Sequence, residues 1–192
     1  MANAGYRVED EVLERISNSD KVFFKKLDDS ELLVNIDKVV GFGKTTRSKV
    51  DISINGNFRL QVKSTKSNRC SVVNMVSFEN LEKVGKREML DILPILETVS
   101  NYLETGKGTV KLADIAKKEE WREFLIYFLF EGTATGQADK FFQATHLLEV
   151  DGNEWVLVEK MEAVDYIWES LTLELRTRKG KTNKCLHVRY GR

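Results

Sequence analysis

Asp51 is followed ten residues later by Gln61-Val62-Lys63, and this set carries the clearest chemistry in the sequence. A carboxylate and an amide oxygen can hold a hard divalent cation such as magnesium, which takes a few oxygen ligands and keeps part of its water shell. A lysine beside such an ion can orient or deprotonate a water molecule. Together they suit phosphodiester hydrolysis, in which the ion stabilises charge on the phosphate and on the leaving oxygen. Charged chains produce short motifs by chance, so uniqueness matters. No Asp-x-Lys or Glu-x-Lys occurs in the 192 residues, and Gln-x-Lys occurs once, at 61. Gln61 is the weakest member, because a neutral amide binds metal less tightly than a carboxylate. It shifts the demand for negative charge onto Asp51 and one further acid.

These side chains need a scaffold, and the local pattern supplies one. Val50, Ile52 and Ile54 alternate with Asp51, Ser53 and Asn55; after the turn residues Asn55-Gly56-Asn57, Phe58, Leu60 and Val62 resume the alternation. That is a β-hairpin. Alternation puts Gln61 and Lys63 on one face with Val62 buried behind, and turns Asp51 away from Val50 and Ile52, so the three polar groups can share a face. A helix is expected over residues 6–17, where Val8, Val12, Leu13 and Ile16 recur at helical spacing. Glu9 lies on that apolar side, an unusual place for a solvating acid, and is the candidate for the further carboxylate. The plainer alternative is a first-turn acid favoured by the helix dipole.

With these residues in view, the chain resembles the PD-(D/E)XK nuclease superfamily, which includes restriction endonucleases and Holliday junction resolvases. Asp51 matches the motif's aspartate, Lys63 its lysine, and Gln61 stands where glutamate or aspartate is usual. The likeness covers roughly residues 5–80. It implies an α/β (α+β) fold, a restriction-endonuclease-like mixed central sheet flanked by helices, built as a single nuclease domain over 1–192 with a basic C-terminal hairpin over 171–192. It implies one or two Mg2+ ions held by Glu9, Asp51 and Gln61, with Lys63 orienting or activating the attacking water. The expected activity is that of a Type II restriction endonuclease or its cleavage subunit. A structure-selective, resolvase-like nuclease and a catalytically silent DNA-binding subunit are the alternatives. The small size leaves open a homodimer or a larger recognition subunit as partner.

Equal numbers of basic and acidic residues give zero net charge, but the distribution is uneven. Residues 44–69 hold seven Lys or Arg against Asp51 alone, and residues 172–192 hold seven against Glu174 alone. Such segregation can supply a phosphate-facing surface that net charge conceals. Lys44, Arg47, Lys49, Lys66 and Arg69 are therefore candidate contacts to the backbone of double-stranded DNA. Arg176, Arg178, Lys179, Lys181 and Arg189 are candidates for base contact from the C-terminal hairpin. His146 and His187 are too few and too far apart for a histidine-metal nuclease, and Trp121, Trp155 and Trp168 are expected in the core or at an interface. Cys70 and Cys185 lack metal spacing and read as reduced thiols in a cytoplasmic protein. No apolar run reaches the length of a membrane span, and the amino terminus has no secretory-signal layout.

Elsewhere, residues 21–40 are ambiguous: Val22-Phe23-Phe24 reads as a strand, and Leu32 to Val40 as a helix or a second strand, before a break at Gly41-Phe42-Gly43. Helices are expected over 79–104, interrupted near Pro94, over 111–130, and over 162–170. Strand pairs are expected over 140–150 with 154–160 and over 171–178 with 184–190.

Overall fold

The computed structural model describes residues 4–42, 48–64, 70–105, 108–137, 143–177 and 184–191. In chain order the elements are α1 (Ala4–Ser17), β1 (Lys21–Lys25), β2 (Glu31–Asn35), β3 (Val39–Gly41), β4 (Ile52–Ile54), β5 (Phe58–Ser64), β6 (Cys70–Ser77), α2 (Phe78–Glu88), α3 (Leu93–Thr105) and β7 (Thr109–Lys111). They continue with α4 (Lys118–Ile126), β8 (Gly132–Thr133), β9 (Gly136–Gln137), β10 (His146–Asp151), β11 (Glu154–Glu159), α5 (Ala163–Ile167), β12 (Leu171–Thr177) and β13 (Lys184–Tyr190).

The central sheet has seven strands in the order β2-β1-β11-β10-β5-β4-β3. It is mixed: β1 with β11 and β10 with β5 run parallel, and the remaining pairs antiparallel. A second, antiparallel sheet has the order β6-β13-β12-β7. The class is therefore mixed α/β, with helices flanking a mixed sheet. The C-terminal hairpin belongs to the second sheet rather than to the central one.

Two apolar clusters cover opposite faces of the central sheet. Val12 and Ile16 of α1 pack with Ile52, Ile54, Leu60, Val62, Leu148 and Trp155. Leu147 and Val158 turn the other way, toward a larger cluster that takes in α2 to α5 and the inner face of the second sheet. Strands covered on both sides lose the polar-out pattern of a half-exposed hairpin. Ser53 and Gln61, expected on an open face, are each only 7% exposed.

The hairpin turn falls at the residues whose turn chemistry points to it. Asn55 and Gly56 both have positive φ, 52° and 75°, and the Asn55 side chain accepts from the backbone N–H groups of Asp37 and Lys38 while donating to the carbonyl of Asn35. One asparagine thus ties the β2–β3 connection to the β4–β5 turn. Leu32 to Val40 holds two strand segments and no helix. Gly41 closes β3, and a Cβ there would come within 2.5 Å of Leu13 on α1.

Two expectations need correction. The helix expected from 111 begins at Lys118, because Leu112–Asp114 forms a 3-10 turn after β7. The break near Pro94 comes earlier, at Met89 in the left-handed region, and Pro94 sits in the first turn of α3, where its missing N–H costs nothing. Residues 70–77, with no clean alternation, form β6. Its pairing with β13 shifts register on both sides of Val188, and Met75 has φ 53°; bulges of this kind erase the period of two. Among the described residues, no helix is long and apolar enough to cross a membrane.

Candidate functional site

Asp51 stands just before β4, where the strict alternation breaks. Its N–H donates to the Leu60 carbonyl (2.8 Å), yet Ile52 is the register partner of Leu60. Two residues therefore face one across the ladder, the geometry of a bulge, and a bulge re-aims the side chain it carries. The Asp51 carbonyl accepts from Phe42 N–H at 2.9 Å, and carboxylate Oδ2 accepts from Val62 N–H at 2.7 Å. The backbone of the Gln61-Val62-Lys63 strand thus grips the aspartate directly.

Three elements bring charge to this point. Burial raises the Asp51 carboxyl above its ordinary value, opposed by Lys63, by the Val62 N–H and by Lys49. Glu9, half-buried on α1, is raised to about 7, first by burial and then by repulsion from Asp51, with Lys63 pulling it back and Asp10 adding to the rise. Glu9, Asp51 and Lys63 are thus within electrostatic reach of one another although they come from positions far apart in the chain. Both carboxylates are short of positive charge, and a dication would relieve them. Gln61 is buried with its Oε1 lacking a hydrogen-bond partner among the described residues. An orphaned buried carbonyl oxygen of this sort fits a cation ligand. Among the described residues, no three His, Cys, Asp or Glu side chains form a group able to hold a metal, so a metal would depend on Glu9, Asp51 and the Gln61 amide.

Lys49 departs from its expected role as an outward phosphate contact. Its ammonium donates to the carbonyl of Phe128, in the π-helical turn Tyr127–Glu131. Burial, with Lys63 assisting, lowers its pKa to about 7, and Asp51 opposes the shift. No local pattern signals this, since Phe128 lies 79 residues away. Arg176 and Arg189, expected at DNA bases, both pair with Glu174 at 2.8 Å. That carboxylate is held below its ordinary value by Arg176 first, with Arg189 contributing. Lys44, Arg47, Lys66, Arg69, Arg178, Lys179 and Lys181 lie outside the described residues.

Glu149 falls outside every motif in the sequence, yet it borders the site. It is 2% exposed, stands on β10 as the register partner of Lys63, and accepts from the Tyr166 hydroxyl. The one local signal is an acid inside the apolar run Leu147-Leu148-Glu149-Val150. The histidines are structural: His146 bonds Thr145 (2.8 Å) and packs on Phe58, and His187 bonds Ser71 (2.9 Å). All three tryptophans are buried, and so are both cysteines. Comparisons with models of known protein families, with curated proteins and with solved structures give no match.

Proposed function

We propose that the chain is a magnesium-dependent endonuclease acting on phosphodiester bonds of double-stranded DNA, of the restriction-endonuclease type or the cleavage subunit of such an enzyme. The observation that carries this reading is the electrostatic coupling of Glu9, Asp51 and Lys63 around a backbone-anchored carboxylate. Magnesium bound there would polarise the phosphate and supply activated water. Asp51, fixed through Oδ2 on Val62 N–H, and Glu9 would be its anionic ligands, with the Gln61 amide oxygen as a neutral third. Lys63 orients the attacking water or takes its proton, and its charge steadies the pentacoordinate phosphate.

The test is cleavage of supercoiled plasmid and of four-way junctions by the purified chain with Mg2+. Asp51→Ala and Lys63→Ala are each expected to lower the rate at least about a hundredfold, while far-UV circular dichroism and DNA binding stay close to wild type. Cleavage by Asp51→Ala at the wild-type rate would overturn the assignment, and preference for junctions would move it to a structure-selective nuclease. The neutral Gln61 favours one other reading, a silent DNA-binding subunit. Calorimetry separates them, because a silent site takes up no Mg2+ that depends on Asp51.

A further inference from the structure

A second basic feature lies along α1 from the site. Strands β1 and β11 pair in parallel at Lys25 and Val156. Beside β1 and the start of β11 a cleft of ≈ 470 Å³ opens, lined by Arg15, Lys21, Phe23 and Trp155. Two cations in it sit on aromatic rings. The Arg15 guanidinium lies 4.5 Å from the centre of the Trp155 ring, and the Lys21 ammonium 5.9 Å from that of Phe23. Among the described residues neither cation is in an ion pair. Lys25, also on the wall, is tied to Asp29, and the acids of the cleft are Glu31 and Glu154. Phe23 is 52% exposed, a high value for a phenylalanine on a paired strand.

Arg15 is six residues beyond Glu9 on the same helix, or roughly 9 Å at the α-helical rise. The strand of Trp155 is two strands across from that of Lys63, again roughly 10 Å at the usual strand spacing. Two cations outside any ion pair and a half-exposed aromatic ring match what a single nucleotide unit offers: a phosphate for the cations and a base for the ring.

We infer that this cleft binds one nucleotide unit of an unpaired DNA strand leading from the point of cleavage, with phosphate on Arg15 and Lys21 and a base stacked on Phe23. This rests on the nuclease reading for the identity of the strand. The experiment measures binding of a labelled short oligodeoxythymidylate by fluorescence anisotropy in EDTA, across a salt series, so that no cleavage is needed. Arg15→Gln with Lys21→Gln is expected to weaken binding about tenfold and to flatten the salt dependence by about 0.7 for each phosphate-binding cation removed. Phe23→Ala is expected to weaken it roughly fivefold. Binding should also change the emission of wild-type protein but not of Trp155→Phe, which locates the strand at the cleft. Because glutamine keeps much of the packing of Arg15 and Lys21, a fold change is checked by circular dichroism and by Lys21→Glu, which should bind still more weakly.

Equal affinity and equal salt slope in the double glutamine variant overturn the proposal, as does the absence of oligonucleotide binding by wild-type protein. A wild-type chain that binds through the cleft but cuts nothing leaves the cleft standing and removes the nuclease reading. A chain that cuts normally while the cleft variants bind normally does the reverse.

Discussion

Glu9 sets the pH behaviour of the site. Its carboxyl ionises near 4.5 in an unfolded chain but near 7 in the folded protein, because burial and Asp51 both oppose its charge. Between those values the folded state holds more protons than the unfolded state, so stability falls as pH rises through the window. Glu9→Gln removes this penalty. In EDTA the variant should be more stable than wild type above pH 7, by about 1 kcal/mol since the group is half-buried and solvent screens part of the penalty. The two proteins should converge as pH falls to 4.5. Urea unfolding across that range is the measurement, and parallel curves would show that Glu9 is not the group responsible. Mg2+ should reverse the order above pH 7, since a cation held by Glu9 and Asp51 favours their charged forms. For the same reason its affinity should rise with pH. Glu9, Asp51 and Lys63 were legible in the sequence because type and spacing name them. The inward turn of Lys49 and the burial of Glu149 were not, since Phe128 and Tyr166, which hold them, are distant in the chain.

The β4–β5 hairpin that carries Asp51 and Lys63 is held at its turn by Asn55. That residue is in the left-handed region, and its side chain makes three hydrogen bonds to the backbone of residues 35–38. Asn55→Ala loses those bonds and leaves a Cβ in the left-handed region without the local hydrogen bonding that lets asparagine occupy it, for an expected cost of about 2 kcal/mol. Asn55→Gly loses the bonds but relieves the backbone, so under about 1 kcal/mol is expected. Urea midpoints decide it; alanine no costlier than glycine would mean that conformation contributes nothing at this position. The hairpin was legible because turn chemistry and alternation are local, and so were β10 with β11 around Asp151-Gly152-Asn153. Strand β6 was not, because its register with β13 shifts twice and the alternation with it. The start of α4 was not either: Leu112 is fully buried and sits at helical spacing from Ile115, so a 3-10 turn imitates the first turn of the helix. In these elements pairing with distant strands, not local propensity, decided the outcome.

At the scale of the molecule, the central sheet is shared between two clusters, and the site is stitched across both. Leu147 and Leu148 are neighbours in β10, yet they pack into opposite clusters. Glu9 comes from α1, which belongs to one cluster, while Lys49 reaches Phe128 in the other. The site geometry therefore exists only while both packings hold. A layer shared in this way should lend the molecule one cooperative transition, since neither cluster can open without exposing apolar faces of β10 and β11. The tryptophans make this testable: Trp155 lies in the α1 cluster, and Trp121 and Trp168 lie in the other. Variants retaining Trp155 alone and Trp121 alone, with phenylalanine at the other positions, should show the same urea midpoint within each protein by emission and by far-UV circular dichroism. An earlier emission change in the Trp155 protein would mean that α1 and the strands beneath it loosen first. Glu9 would then leave Asp51 before the remainder unfolds, and the cleft beside Arg15 would be lost in the same step.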